Sequence, residues 1–212
     1  MEKLYQQVLK DKKIIEIYND VNKKINFVID HGMLHIEHVL KYINVICDEL
    51  KIDEHTRDLA LLAGVLHDVG RLECWKGHAE ESAKFAKEYL KGKLNAEDLE
   101  IMIDAISHHE RSVFDYNSKN DAAWIVFMAD KMDYTRDRFI ESLIDENAKT
   151  KFDYVIKTIE LKRKCKTCSI IFTLFEEVDS FLETAERITN IYTKILNYFG
   201  YNKINFIVKV DN

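Results

Sequence analysis

His67 and Asp68 stand side by side at the end of the apolar run 59–66, with further candidate ligands around them: His35 upstream, then His78, the adjacent pair His108 and His109, and Asp130. Imidazole is a borderline ligand and carboxylate a hard one. The mixture suits a divalent transition metal, and a carboxylate can bridge two ions. Five of the eight histidines belong to this set, so metal chemistry is the first expectation. Imidazole-rich ligation favours iron, manganese, cobalt or nickel. Zinc and the oxygen-preferring magnesium stay open, as does one ion against two. His31, His35 and His38 recur at i, i+4 and i+7 near one helix face, and that placement singles out none of them.

Helical periodicity must position these residues, and it dominates the first two thirds of the chain. Leu4, Val8, Ile15, Tyr18, Ile25 and Ile29 describe one long amphipathic helix, ended near Gly32. Ile36, Val39, Leu40, Ile43, Ile46 and Leu50 describe a second. Asp53 caps a third, which carries Leu59, Leu62, Ala63 and Leu66 and is closed by Gly70. A fourth covers 78–90, with Gly92 after it. Asn95 caps a fifth, through Leu99, Met102, Ile103 and Ile106 to the histidine pair. Residues 110–120 read as a loop, and a sixth helix runs from Asp121 past Asp130. The candidate ligands thus fall where helices open or end, so a shared cavity can form.

After about residue 150 the pattern changes. Residues 169–175 (SIIFTLF) and 204–210 (INFIVKV) read as strands, and 154–161 as a third for which a helix is nearly as defensible. Ser180 with Glu183 forms a capping-box pattern opening a helix that Gly200 stops. The expected fold is mainly α: a helical bundle over 1–150 with a small α+β appendage, β-β-α-β, over 151–212.

The chain has 212 residues, 31 basic against 37 acidic, for a net charge of −6. Such a balance disfavours sequence-independent nucleic-acid binding, which depends on neutralising phosphates. No apolar run is long enough to cross a bilayer or to act as a signal peptide. Four cysteines make no disulfide scaffold, so a reducing cytoplasm is expected. The absence of proline suits a helical chain.

His35-Ile-Glu-His38-Val39, then Val-Leu-His67-Asp68-Val-Gly-Arg71, then Met-Ala-Asp130-Lys131-Met-Asp resemble the H…HD…D signature of the HD-domain superfamily, over roughly residues 25–145. The resemblance implies a helical, metal-dependent enzyme, in most members a phosphohydrolase. It selects His35 among the early histidines, because the family's first histidine opens an H-x-x-x-V element, and leaves His31 as a second choice. His38 falls where the family often carries Arg. Gly77-His78-Ala-Glu-Glu-Ser and Ile106-Ser-His108-His109-Glu110 are similar to the extra ligands of dinuclear branches, including the HD-GYP phosphodiesterases, but Arg-Ser-Val-Phe-Asp replaces the GYP-containing extension. Residues 129–136 are similar to HD-type hydrolases of dinucleoside tetraphosphates, which carry His-Thr where this chain has His-His-Glu.

On that resemblance one ion is held by His35, His67, Asp68 and Asp130, and a second by His78, His108 and His109, with Asp68 bridging. Adjacent helical residues point about 100° apart, so the more exposed of His108 and His109 is free to meet substrate instead. Water between two cations loses its proton near neutrality and becomes the nucleophile, while both cations stabilise phosphoryl charge. Arg71 is placed to grip a phosphate oxygen, and Lys131 is a second candidate, equally readable as a plain surface lysine. The implied partner is a small phosphorylated substrate, a nucleotide foremost, and a homodimer stays open. A dinuclear iron oxygenase and a non-catalytic HD sensor or scaffold are the alternatives. Cys165 and Cys168 read as part of a hairpin turn. The surrounding Lys162, Arg163, Lys164 and Lys166 read as a solvated edge, with a basic hairpin reaching over the site as the sharper alternative.

Overall fold

Asp11 cuts the expected first helix in two, so the N-terminal part of the computed structural model has seven helices among its described residues, 3–25, 28–110 and 112–211. They are α1 (Leu4–Leu9), α2 (Lys12–Ile25), α3 (Met33–Leu50), α4 (Glu54–Leu66), α5 (His78–Tyr89), α6 (Ala96–Ser107) and α7 (Asp121–Met132). Two parts of the sequence reading lie outside the described residues: positions 26–27 of the first helix, with the side chain of Ile25, and Arg111 of the loop. After α7 come the single-turn α8 (Glu146–Lys149), strands β1 (Ile156–Lys164) and β2 (Thr167–Leu174), helices α9 (Phe181–Thr184) and α10 (Glu186–Tyr198), and strand β3 (Lys203–Val210).

The break at Asp11 has a local cause. Its carboxylate accepts from Lys13 N (2.9 Å) and from the Tyr89 hydroxyl (2.5 Å), while its carbonyl accepts from Ile15 N (3.0 Å). Such a side chain starts a helix better than it continues one. Gly32 likewise opens α3 as its N-cap and does not close the helix before it. Two other caps form as read: Asp53 accepts from Thr56 N, and Asn95 from Asp98 N.

Every residue of α7 after the first is buried. A helix that is apolar all round belongs at the centre of a core, and α3, α4 and α6 pack around it. That placement carries Asp130 and Lys131 into the interior.

Gly70 does not close α4. The helix stops at Leu66, and Gly70 lies in a 3-10 turn, Val69–Leu72. A Cβ there would stand 2.4 Å from the His78 carbonyl and 2.5 Å from Ser82 N, so only glycine lets α5 come this close. Gly70 N donates to Ser82 Oγ (2.8 Å), which fixes the contact.

The C-terminal part has the order β-β-α-β, with 154–161 resolved as strand from Ile156. β1 and β2 form an antiparallel hairpin turning at Cys165, a residue in left-handed conformation (φ 55°). β3 then pairs parallel with β2, Thr167 to Lys203 through Leu174 to Val210. The register shift between Ile156 and Thr158 flips the strand parity, so Ile156, Ile159 and Leu161 all face inward. Ser180 does not form the expected capping box: its backbone is left-handed (φ 54°), its side chain caps nothing, and the helix divides at Ala185. Tyr192 and Phe172 are fully buried against the shared core, and among the described residues no helix is long and apolar enough to cross a membrane.

Candidate metal centre

The five elements that deliver the predicted ligands meet at one place. His35 sits in the first turn of α3, His67 caps the end of α4, His78 opens α5, His109 follows α6, and Asp130 lies in the last turns of α7. Asp68 is between α4 and the 3-10 turn at φ −110°, ψ 4°, the sparsely allowed bridge region common at functional sites. His35, His67, Asp68 and His109 are buried to 1 % exposure or less.

Four imidazoles are oriented in the same way. His67 Nδ1 faces the Gly64 carbonyl at 2.9 Å, His78 Nδ1 the Trp75 carbonyl at 2.9 Å, and His109 Nδ1 the Ile106 carbonyl at 2.7 Å. His35 Nδ1 faces Asp133 Oδ2 at 2.6 Å. Carbonyls and ionised carboxylates only accept, so each Nδ1 donates and each Nε2 offers a lone pair inward. Those Nε2 atoms converge: His35 to His67 at 3.2 Å, and His78 to His109 at 3.1 Å. Asp68 Oδ1 lies 3.1 Å from His78 Nε2, 3.2 Å from His109 Nε2 and 3.6 Å from His67 Nε2. His35 Nε2 is 3.5 Å from Asp130 Oδ1 and 3.7 Å from Asp68 Oδ2.

The protonation states of His67, Asp68 and Asp130 match what ligation requires. Burial pushes the His67 imidazolium down to about 3, leaving a neutral ring at neutral pH. Burial works against the Asp68 carboxylate, but Arg71 and the surrounding imidazoles outweigh it and hold Asp68 well below its ordinary range. Asp130 is lowered in the same way, burial being outweighed by Lys131 and the histidines. His78 is burdened by burial yet raised by Asp68, whose carboxylate favours the charged ring.

These residues fit a metal ion. Asp68 Oδ1 is buried without a hydrogen bond, an expensive state for a carboxylate oxygen unless a cation answers it. Ligand atoms about 2.1 Å from an ion stand ~3.0 Å apart at right angles and ~3.4 Å apart at the tetrahedral angle. The two imidazole pairs, at 3.2 and 3.1 Å, fall between these values. The groups His35–His67–Asp130 and His67–Asp68–His109 each place three donor atoms within 4.8 Å of one another, so either could hold an ion, and His67 belongs to both.

His108 is not brought in. It is 36 % exposed at its side chain, and its Nδ1 meets the Asp104 carbonyl (3.0 Å) and carboxylate (2.9 Å), so the neighbouring His109 alone turns inward. His31 comes closer than its spacing suggested: with His35 and Asp68 it forms a third such group, its Nδ1 3.7 Å from Asp68 Oδ2, while Arg138 Nη2 approaches the same nitrogen at 3.2 Å. His38 is not among the converging donors. It binds Asp133 Oδ1 at 2.7 Å, opposite His35 on the same carboxylate, while Arg138 Nε stands 3.1 Å from Asp133 Oδ2. Asp133, three residues after Asp130 in the same motif, is the orienting residue that motif spacing alone leaves without a role.

Arg71 Nε donates to Asp68 Oδ2 (2.5 Å), and its guanidinium lies 4.6 Å from the Trp75 ring centre. Lys131 is no surface lysine: only 8 % exposed, it pairs with Asp130, which outweighs burial and raises its pKa. Both line a cleft of about 900 Å³ together with His78, His109 and Asp130 and with Phe152, Ile188 and Ile191 from the C-terminal part. The basic hairpin is elsewhere. Arg163 N donates to Glu49 at the far end of α3, about 20 Å along that helix from His35, and residues 162–166 do not line the cleft.

The family model of the HD domain matches residues 33–135. Among solved structures, the chain resembles a predicted HD superfamily hydrolase from an uncultured Thermotogales bacterium, at 22% identity and a TM-score of 0.45, covering 62% of this chain and 79% of that one. No curated protein matches.

Proposed function

Since residues 33–135 are an HD domain, we propose that the chain is a metal-dependent phosphohydrolase, acting on a phosphate ester or anhydride of a nucleotide or other small metabolite. The observation that carries this reading is Asp68 Oδ1, buried and unbonded, with three imidazole Nε2 atoms turned towards it. His35, His67, Asp68 and Asp130 would hold one divalent ion, and Asp68, His78 and His109 a second. When bound, such ions supply Lewis acidity: they draw the pKa of water towards neutrality and neutralise charge on a phosphoryl group.

The remaining chemistry belongs to the chain. Asp133 orients His35, and three backbone carbonyls orient His67, His78 and His109, so the donors are fixed before substrate arrives. Arg71 spends its Nε on Asp68 and keeps its other N–H groups for a phosphate oxygen in the cleft it lines. Lys131, protonated beside Asp130, adds a second cation at the reacting end. Trp75, half-exposed, also lines the cleft, which suits a substrate with a flat apolar part.

Elemental analysis of chelator-free protein tests the centre. About two transition-metal ions per chain are expected, falling on Asp68→Asn together with hydrolysis of a nucleotide and phosphoester panel. Full turnover in that variant would falsify the reading. Oxygen uptake dependent on an organic substrate would replace it with an oxidative one.

A further inference from the structure

Beyond the metal centre, the cleft ends in positive charge that the protein itself does not answer. Arg187, in the first turn of α10, lines both the main cleft and a smaller adjoining one of about 410 Å³. It makes no hydrogen bond or ion pair among the described residues. Lys194 lies seven residues further on, near the same face of α10, and lines the smaller cleft with its ammonium 4.2 Å from the Tyr116 ring centre. Glu186 is the carboxylate in that lining and leaves the pair of cations in excess. Phe152, Ile188 and Ile191 add apolar surface to the main cleft, and the Asp153 carboxylate lines it as well.

Substrate phosphate at the ions accounts for Arg71 and Lys131 but not for a cation brought to the same cleft by α10. We propose that Arg187, assisted by Lys194, forms a second anion subsite, and that the substrate is a phosphate ester carrying another anionic group at its far end. The uncharged middle of such a molecule lies along Phe152, Ile188 and Ile191, where Asp153 accepts from a hydroxyl or amino group. The proposal rests on the phosphohydrolase reading for the identity of the first end. It makes the C-terminal appendage, through α10, the part of the molecule that selects substrate.

Calorimetric titration of the metal-loaded full chain with α,ω-alkanediol bisphosphates of increasing length, against the matching alkyl monophosphates, tests this directly. At one length the bisphosphate should bind about tenfold tighter than the monophosphate. Arg187→Gln should abolish that gain and leave monophosphate affinity unchanged, and Arg187→Glu should make the second phosphate unfavourable. A series without length preference in the native chain overturns the subsite, as does a gain that survives in Arg187→Gln. The two readings fail separately: an Arg187-dependent gain without hydrolysis of any ester leaves the subsite and removes the phosphohydrolase. Hydrolysis with a flat series does the reverse.

Discussion

Asp133 holds three partners at once: His35, His38 and Arg138. It touches no substrate-facing space, yet it fixes the tautomer of the imidazole that begins the ligand set. Asp133→Asn keeps the shape and removes the charge. Metal affinity should fall about 10–100-fold, the range for orienting partners of ligating histidines, with the helical circular dichroism retained. His108→Ala is the contrast: its ring bonds Asp104 at the surface, so metal titration should leave affinity unchanged, and a comparable loss there would restore His108 as a ligand. The same residues set a pH dependence. Burial pushes His67 and His31 down to about 3 from an ordinary 6.5. Between those values the unfolded chain binds more protons than the folded one, so metal-free stability is complete above 6.5 and drains away as pH falls. His38 and His78 shift upward and oppose this, but without a comparable displacement. Urea midpoints measured at pH 7, 6 and 5 should therefore decline, and a rising series would contradict the buried neutral rings. Residue types put His67 and Asp68 forward, the resemblance chose His35 among the early histidines, and the fold brings six of the seven candidates together. His108 could not be separated from His109 by spacing, because only the path of the chain after α6 decides which ring turns inward.

Helix ends deliver the ligands, so the contacts between elements matter as much as the ligands themselves. The closest is at Gly70, where the 3-10 turn after Asp68 meets the first turns of α5. Gly70→Ala puts a methyl group into the His78 carbonyl and Ser82 N, both backbone atoms that cannot rotate away. The expected cost is about 2 kcal/mol, within the usual range for overpacking, and His78 should be displaced with it, so metal retention falls too. Gly64→Ala is the matched control. Its Cβ would meet the Ile43 Cδ1 tip at 2.6 Å, a flexible end, inside α4 where alanine is the better helix former by about 1 kcal/mol. Chemical denaturation of the pair decides the matter: equal costs would mean that the α5 contact is not special. Periodicity marked α3 to α7 well because each buries a stripe, or, in α7, nearly its whole surface. It missed the break at Asp11 and the left-handed Ser180 because side-chain bonds to nearby backbone and tertiary fit outweighed the local pattern. It gave no direction for the hairpin, whose docking on Glu49 is a contact between distant parts of the chain.

In the molecule as a whole, the C-terminal appendage shares the core of the helical body. Trp124 of α7 stacks on Tyr198 of α10 at 4.6 Å, and the buried Tyr192 hydroxyl donates to the Lys131 carbonyl (2.8 Å), directly behind the lysine that enters the cleft. No pattern along the chain announces these pairings, since each joins residues more than sixty positions apart; for the same reason the C-terminal lining of the cleft was invisible before the fold. A division at residue 150 describes the change of pattern in the sequence, whereas packing of this kind argues for one cooperative unit. Urea unfolding of a Trp75→Phe background followed by tryptophan fluorescence, which then reads Trp124 alone, should coincide with far-ultraviolet circular dichroism of the whole chain. Tyr192→Phe removes one buried hydrogen bond and should lower stability by about 1 kcal/mol, moving both curves together. If the variant instead splits them, with fluorescence changing before the helices melt, the appendage is a separable module and its wall of the cleft is a mobile one.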